Sequence, residues 1–207
     1  KPRLAEETSA HADGELGALV LEGRCVPYGE ANVWWPIADA VRSAAGLGAD
    51  ATPAQVDGEL RRIAAVALAE SNRTDEIDRV VAGLKHLLGS DSSLRSIDVA
   101  RAREEVIRSV VAIAEGYSHQ RPVMVVLSDL HWADQEVLDL LDTLLSRLAR
   151  RPFVLLATAR RSLGDRWRPS PETANSVVLH LDPLVHDASR RLLLTLAEGD
   201  LHPALAS

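Results

Sequence analysis

The chain has 207 residues, of which 46% are hydrophobic and 26% charged, with a formal net charge of −7. This composition is typical of a folded globular domain and excludes a disordered chain. The negative charge argues against direct nucleic-acid binding by this domain, because such binding needs clustered basic residues. No apolar run approaches the roughly 20 residues of a membrane helix, so we expect no membrane contact. The single cysteine, Cys25, excludes a disulfide scaffold and favours a reducing, cytoplasmic location.

The first half of the chain predicts one strand followed by a long helical region. A short helical stretch from Leu4 is expected to stop at Gly14, and an apolar run then predicts a buried strand over residues 18–25. Helix start signals recur afterwards, where proline or a capping residue precedes an apolar-periodic stretch. The predicted helices lie at residues 37–45, 53–70 and 77–88, and a fourth starts at Ser96 or Asp98 and ends near Gly116. Together they form a helical insertion over about residues 36–118.

From residue 121 the pattern changes to strands that alternate with helices. Two continuous apolar runs, 122–127 and 153–157, are typical of strands that helices cover on both faces. Strands separated by helices favour an α/β fold with a three-layer parallel sheet, which binds ligands at the carboxyl ends of its strands. The other predicted elements are a helix at 137–148, a fourth strand at 177–181 and a helix at 187–197.

Polar residues follow the two clearest strands. Ser128 and Asp129 end the strand at 122–127, and a carboxylate there can hold the magnesium ion of a nucleotide or orient a water molecule. Arg160 follows the strand at 153–157, and its guanidinium can bind a terminal phosphate through two hydrogen bonds. Each residue also has a purely structural interpretation: an aspartate at a strand end serves as a turn former, and an arginine is solvated on its loop. We prefer the second interpretation for Arg161.

Several segments, taken in order, resemble the nucleotide-binding domain of the signal-transduction ATPases with numerous domains (STAND). The similarity is closest to the AAA-type module found beside class III adenylyl cyclase domains and in large LuxR-type regulators. The string Asp-Leu-His-Trp-Ala-Asp at 129–134 is the most specific piece. The resemblance covers essentially the whole chain and implies one P-loop ATPase domain over residues 1–207, with ATP and Mg2+ as cofactors. The matching segments are Leu21 to Glu30, Val33 to Ile37, Val126 to Asp134 and Leu155 to Arg160.

The start of the chain is similar to the end of that family's Walker A loop, which is rich in glycine and closes on Lys-Ser/Thr. Here the chain begins Lys1-Pro2-Arg3-Leu4, so the resemblance implies that Lys1 binds phosphates and that the sheet lacks the Walker A strand. In the family's topology the Walker A strand lies between the sensor strand, which corresponds to residues 153–157 here, and the last strand, which corresponds to residues 177–181. We therefore expect 18–25, 122–127 and 153–157 to pair in parallel, with 177–181 either detached or paired with 153–157.

Two departures from the family pattern weaken the expected chemistry. Pro2 occupies the position of the Ser/Thr whose hydroxyl binds magnesium, and Ser128 replaces the first of two acids at the Walker B strand end. The resemblance assigns the polarisation of water to the remaining acid, Asp129. We expect weak or absent ATP binding and hydrolysis by residues 1–207, and the sequence leaves open whether the intact parent protein hydrolyses ATP.

Two functions remain open on the sequence. The first is an ATP-binding regulatory switch domain of a multidomain signalling or transcriptional regulator, whose partners are the nucleotide and other domains of the parent chain. The second is a non-catalytic interaction module on a degenerate ATPase fold. Scattered histidines predict no metal site made of protein side chains, and His131 is interpreted as a residue that positions its loop. Trp34 and Trp35 are assigned to core packing, with adenine stacking or contact with a neighbouring domain as the alternatives.

Overall fold

The computed structural model describes residues 2–27, 33–69, 73–170, 175–182 and 187–191. By its internal contacts the chain divides into a unit of residues 1–176 and a unit of residues 177–207. Lys1 and the segment Tyr28 to Glu30 lie outside the described residues. Within the described ranges, no helix combines the length and the apolar composition needed to cross a membrane.

The first unit is built on a parallel sheet whose strands are β1 (Leu19–Arg24), β2 (Val123–Ser128) and β3 (Phe153–Ala157). The strand order is β1-β2-β3, so β2 is central and receives hydrogen bonds on both edges. The parallel pairing that we predicted for these three strands is confirmed. Each connection is a helical crossover, as parallel neighbours require.

Helices occupy most of the remaining chain in the first unit. All the regular secondary structure described between β1 and β2 is helical, in agreement with the periodic apolar pattern there, and one α-helix connects β2 to β3. The bounds are α1 (Pro2–Leu16), α2 (Trp35–Ala44), α3 (Pro53–Ala69), α4 (Ile77–Leu87), α5 (Val99–Gln120) and α6 (Gln135–Arg147).

Side chains of β2 alternate between two separate cores, one on each face of the sheet. Val123, Val125 and Leu127 pack with the helices that follow β1. Met124 and Val126 point to the opposite face and pack with the small residues of α1. All five side chains are buried, which explains why the strand reads as an unbroken apolar run. The sheet therefore lies between helices on both faces.

The first helix runs past the glycine that we expected to end it. Gly14 lies within α1, and the helix continues to Leu16 because the left-handed residue that closes it is Gly17, at φ 59°. The Gly17 N–H donates to Asp13 O at 3.1 Å and the Ala18 N–H donates to Ala12 O at 3.0 Å. These two bonds form the glycine-dependent ending of many helices, so the turn into β1 is short.

The helices between β1 and β2 approach each other and the sheet closely at glycines. A Cβ on Gly23, in β1, would lie 2.0 Å from the carbonyl oxygen of Pro36 at the start of α2. A Cβ on Gly116, in α5, would lie 2.0 Å from the carbonyl oxygen of Ala67 in α3. Trp34 is buried in this core, which confirms its packing role, whereas Trp35 is 37% exposed.

The second unit contains no strand within its described residues. Residues 177–182 lack strand hydrogen bonding, and Val177 and Val178 are 84% and 74% exposed. The predicted strand at 177–181 is therefore wrong, as is the alternative that pairs it with 153–157. Its β-branched run has the right propensity, but a strand is stabilised by the partners and the face that it buries. Residues 187–191 are helical, as predicted, and the rest of the predicted helix at 187–197 lies outside the described residues.

Candidate functional site at the carboxyl edge of the sheet

The register of the sheet brings three polar strand ends to one edge. Arg24, the last residue of β1, pairs with Ser128, the last residue of β2. Leu127 pairs with Ala157, so the residues that follow them, Ser128 and Thr158, leave the sheet side by side. Because all three strands are parallel, the chain segments after them start from the same edge.

Hydrogen bonds hold the segment after β2 to the segment after β3. The Thr158 N–H donates to Leu127 O at 3.0 Å, and the Leu130 N–H donates to Thr158 O at 2.9 Å. The Asp129 N–H donates to Thr158 Oγ1 at 3.2 Å. Thr158 therefore fixes the backbone that carries Asp129, a role that the sequence analysis did not assign to it.

Asp129 is the one non-glycine residue with positive φ in the described part of the chain, at φ 57° and ψ 37°. The left-handed region costs most residues about 1–2 kcal/mol, although aspartate and asparagine adopt it more readily. The turn directs the chain into a short 3-10 helix, Leu130–Trp132, and Leu130 is fully buried beneath it. Backbone strain of this kind is characteristic of functional turns.

The carboxylate of Asp129 forms an ion pair with Arg24. Arg24 Nη2 lies 3.3 Å from Asp129 Oδ2, and the two side chains are 71% and 41% exposed. Arg24 was not predicted as a site residue, because its place opposite Ser128, next to Asp129, depends on the register of β1 on β2. A pair this exposed contributes little stability but holds the carboxylate on the β1 side of the edge.

Arg160 lies at the same edge, over the indole ring of Trp132. Its Cζ is 5.8 Å from the ring centroid, within the range of a cation–π contact. Trp132 belongs to the segment that starts at Asp129, so the residues after β2 and those after β3 meet here. Among the described residues no carboxylate pairs with Arg160, which is exposed.

A second arginine, Arg166, links the segment that follows β3 to the segment that follows β2. Arg166 Nη1 donates to His131 O at 3.2 Å, and Nη2 donates to Ala133 O at 3.0 Å. The His131 ring lies 4.9 Å from the Trp132 ring at a tilt of 38°. The bonds from Arg166 hold the backbone of the loop in which Trp132 lies, and a positioning role for the His131 side chain stays a prediction.

Cys25 is buried directly behind the edge. Its N–H donates to Ser128 O at 2.9 Å, and its side chain is 2% exposed. Burial, helped by the negative charges of Asp129 and Asp134, raises the pKa of the thiol from 9.0 to about 12. The thiol therefore stays protonated at neutral pH and behaves as a small apolar side chain, as predicted.

Residues 1–156 match the family described as AAA ATPase domain. The chain belongs to that family. It is also 28% identical, over 193 residues, to an uncharacterized protein of Rhizobium meliloti (strain 1021). That match covers 92% of this chain and 18% of the relative, so the chain spans less than a fifth of the relative's length. No solved structure matches the chain.

Membership in the AAA ATPase family makes this a nucleotide-binding domain of the P-loop type. The α/β architecture with a parallel sheet agrees with that assignment. Of the four predicted site residues, Ser128, Asp129 and Arg160 lie at the carboxyl edge, and Lys1 lies outside the described residues.

The donor atoms at the edge of this AAA ATPase domain fit the phosphates of a nucleotide better than they fit a metal ion alone. Arg160 offers a guanidinium without a described carboxylate partner, whereas Asp129 offers the one carboxylate that directly follows β2. In the described ranges no group of three or more His, Cys, Asp or Glu side chains could hold a metal ion. Magnesium in nucleotide sites is held mainly by phosphates and water, with one or two carboxylates. Asp129 supplies one such carboxylate at this edge.

A separate groove of about 630 Å³ is lined by residues of α4, of α5 and of the segment between them. Its walls include Arg79, Ile97, Arg101 and Glu105, and Arg79 forms two hydrogen bonds with Glu105. The groove contains none of the predicted site residues, so the sheet edge remains the candidate site of the AAA ATPase domain.

Proposed function

We propose that this AAA ATPase domain is the nucleotide-binding switch of a larger signalling or transcriptional regulator of the STAND type. In this proposal the phosphates of ATP bind at the carboxyl edge of the sheet, and nucleotide state changes how other domains of the protein pack. The observation that carries the proposal is the meeting of Asp129 and Arg160 at one edge, through Thr158 and Trp132.

The direction of α1 supports the same location. The chain turns directly from the end of α1 at Gly17 into the start of β1, so α1 runs antiparallel to the strands that it covers. A helix of 15 residues is about 22 Å long, close to the length of a six-residue strand. The first turn of α1 therefore lies near the carboxyl edge, where its backbone N–H groups favour an anion.

Each residue at the edge then has a distinct role. Arg160 binds the terminal phosphate, and Lys1, by the family resemblance of its segment, also binds phosphates. Asp129 polarises water or contacts the nucleotide's magnesium, and Ser128 lies beside it with a hydroxyl in place of a second acid. Mg-ATP supplies a triphosphate whose terminal group is present in one state and absent in the other. Differential binding of that group by Arg160 shifts the population between the two arrangements.

Calorimetric titration of Mg-ATP into the intact protein tests this proposal. The variant is Arg160→Ala. The matched control is Arg161→Ala, which removes the neighbouring arginine side chain, also exposed. We expect Arg160→Ala to weaken ATP binding about 10-fold or more, because a hydrogen bond to a charged group contributes about 1.5–3 kcal/mol. Arg161→Ala is expected to bind ATP with the same affinity as the unsubstituted protein. Equal affinities in all three proteins would remove Arg160 from the site.

The alternative, a non-catalytic interaction module, predicts a different result in the same titration. An interaction module on a degenerate fold would show no heat of binding with Mg-ATP in the intact protein. Binding that is unchanged when ADP replaces ATP would also contradict the switch, because the terminal phosphate would then contribute nothing.

A further inference from the structure

Trp132 occupies an unusual place for a large aromatic side chain. It is 38% exposed, at the end of the 3-10 helix that follows Asp129, and its ring faces the guanidinium of Arg160. The loop beneath it is held by the hydrogen bonds from Arg166 and by the buried side chain of Leu130. The backbone that carries the ring is therefore held in place, whereas Arg160 reaches the ring from the segment that follows β3.

Charge distribution at this edge leaves Arg160 available to an anion. Arg24 is paired with Asp129, and Arg166 donates to two backbone carbonyl groups. Arg160 has a ring in place of a carboxylate among the described residues. A ring attracts a cation through its negative face without neutralising the charge, so the N–H donors of the guanidinium remain for another partner.

We propose that Trp132 is a positioning residue that holds Arg160 in the orientation that binds the terminal phosphate of a nucleoside triphosphate. This inference rests on the proposed function and extends it to discrimination between nucleotides. A side chain as flexible as arginine loses conformational entropy when it binds a phosphate, and contact with an aromatic ring on a held loop removes part of that cost beforehand. Trp132 thus favours the triphosphate over the diphosphate without touching either.

The test compares ATP and ADP affinities, with Mg2+, in the intact protein carrying Trp132→Leu or Trp132→Phe. Leucine keeps an apolar side chain but removes the ring, whereas phenylalanine keeps a ring. We expect Trp132→Leu to weaken ATP binding about two- to fivefold, which corresponds to about 0.5–1 kcal/mol for an exposed cation–π contact. Its ADP affinity is expected to stay unchanged. Trp132→Phe is expected to fall between Trp132→Leu and the parent protein for ATP.

A double variant separates positioning from a general effect on the loop. If Trp132 acts through Arg160, Trp132→Leu has no further effect on ATP affinity in an Arg160→Ala background. A loss of ATP and ADP affinity in parallel, an equal loss in both backgrounds, or no loss in Trp132→Leu would overturn the inference and leave the proposed function standing. Absence of ATP binding by the parent protein would overturn both.

Discussion

Arg24 Nη2 lies 3.3 Å from Asp129 Oδ2, so two residues 105 positions apart in sequence form an ion pair at the ends of neighbouring strands. The contact follows from the parallel register, which places the last residue of β1 against the last residue of β2. The acid that the family resemblance assigns to catalysis therefore has a cationic neighbour supplied by the sheet itself.

The exposure of this pair predicts a small, salt-sensitive coupling. A double-mutant cycle with Arg24→Ala and Asp129→Ala is expected to give about 0.2–1 kcal/mol in chemical unfolding at low salt. The coupling should decrease as salt shortens the Debye length below about 10 Å. The exposed pair Arg3–Glu7 within α1 is a matched control, for which about 0.3–0.5 kcal/mol is expected. A salt-independent coupling above about 2 kcal/mol would contradict the exposed geometry.

Ser128 provides a second prediction, because a carboxylate is a much better magnesium partner than a hydroxyl. In the intact protein we expect Ser128→Asp to raise kcat for ATP hydrolysis at least about tenfold, since metal-assisted charge stabilisation contributes several kcal/mol. Ser128→Asn, which has similar size and no charge, serves as the control. Equal rates in the aspartate and asparagine variants would show that a missing metal ligand is not the defect.

The buried thiol of Cys25 makes stability depend on alkaline pH. Its pKa is about 12 in the folded protein and 9.0 ordinarily, so only the unfolded chain loses the proton between these values. The stabilising effect of burial is complete below pH 9 and is lost as pH rises toward 12. Relative to Cys25→Ala, the free energy of unfolding should fall by about 1.4 kcal/mol per pH unit above pH 9.

The pKa of the Cys25 thiol also depends on the charge of Asp129. Because the charge of Asp129 contributes to the raised pKa after burial itself, Asp129→Asn is expected to lower the pKa of Cys25 but leave it above 9.0. Thiolate absorbance in an alkaline titration of the folded protein measures this shift. An unchanged pKa would mean that the carboxylate lies farther from the thiol than the structure shows.

Helix packing around Gly116 predicts opposite effects for two glycine substitutions. Gly116→Ala would place its Cβ against the Ala67 carbonyl, so α3 and α5 must separate, at a cost of about 1–3 kcal/mol. Gly58→Ala, in the interior of α3 with nothing within 4 Å of the new Cβ, is expected to stabilise by about 0.5–1 kcal/mol. Thermal unfolding measures both changes, and effects of the same sign would contradict the close helix approach.

The paired strands were predictable because each is a short apolar run bounded by helix and turn signals. Residues 153–157 match β3 in full, and 122–127 differs from β2 by one residue at each end. The run at 177–181 is also mostly apolar and starts with β-branched residues, with His180 as its one polar residue, yet it is exposed and forms no strand. Local propensity does not decide the outcome, because a strand also needs a partner and a face to bury, which no window of sequence contains.

The candidate site shows the same limit: places along the chain were predictable, whereas contacts between distant segments were not. The positions of Asp129 and Arg160 at the carboxyl edge were predictable because each residue follows a strand, and their roles in nucleotide binding stay predictions. Arg24 and Trp132 were not predicted as their partners, because each contact joins segments that are distant in sequence. The register of β1 on β2, which determines the first contact, is a property of the assembled sheet.

The alternation of β2 between two cores has a mechanical consequence. Met124 and Val126 pack against α1, and the alternate side chains of β2 pack against the helices on the opposite face. A displacement of either helical layer would therefore also displace β2. Asp129 directly follows β2, so its backbone would move with the strand. Arg160 instead follows β3, which pairs with one described strand, β2, and its guanidinium lies over the indole of Trp132.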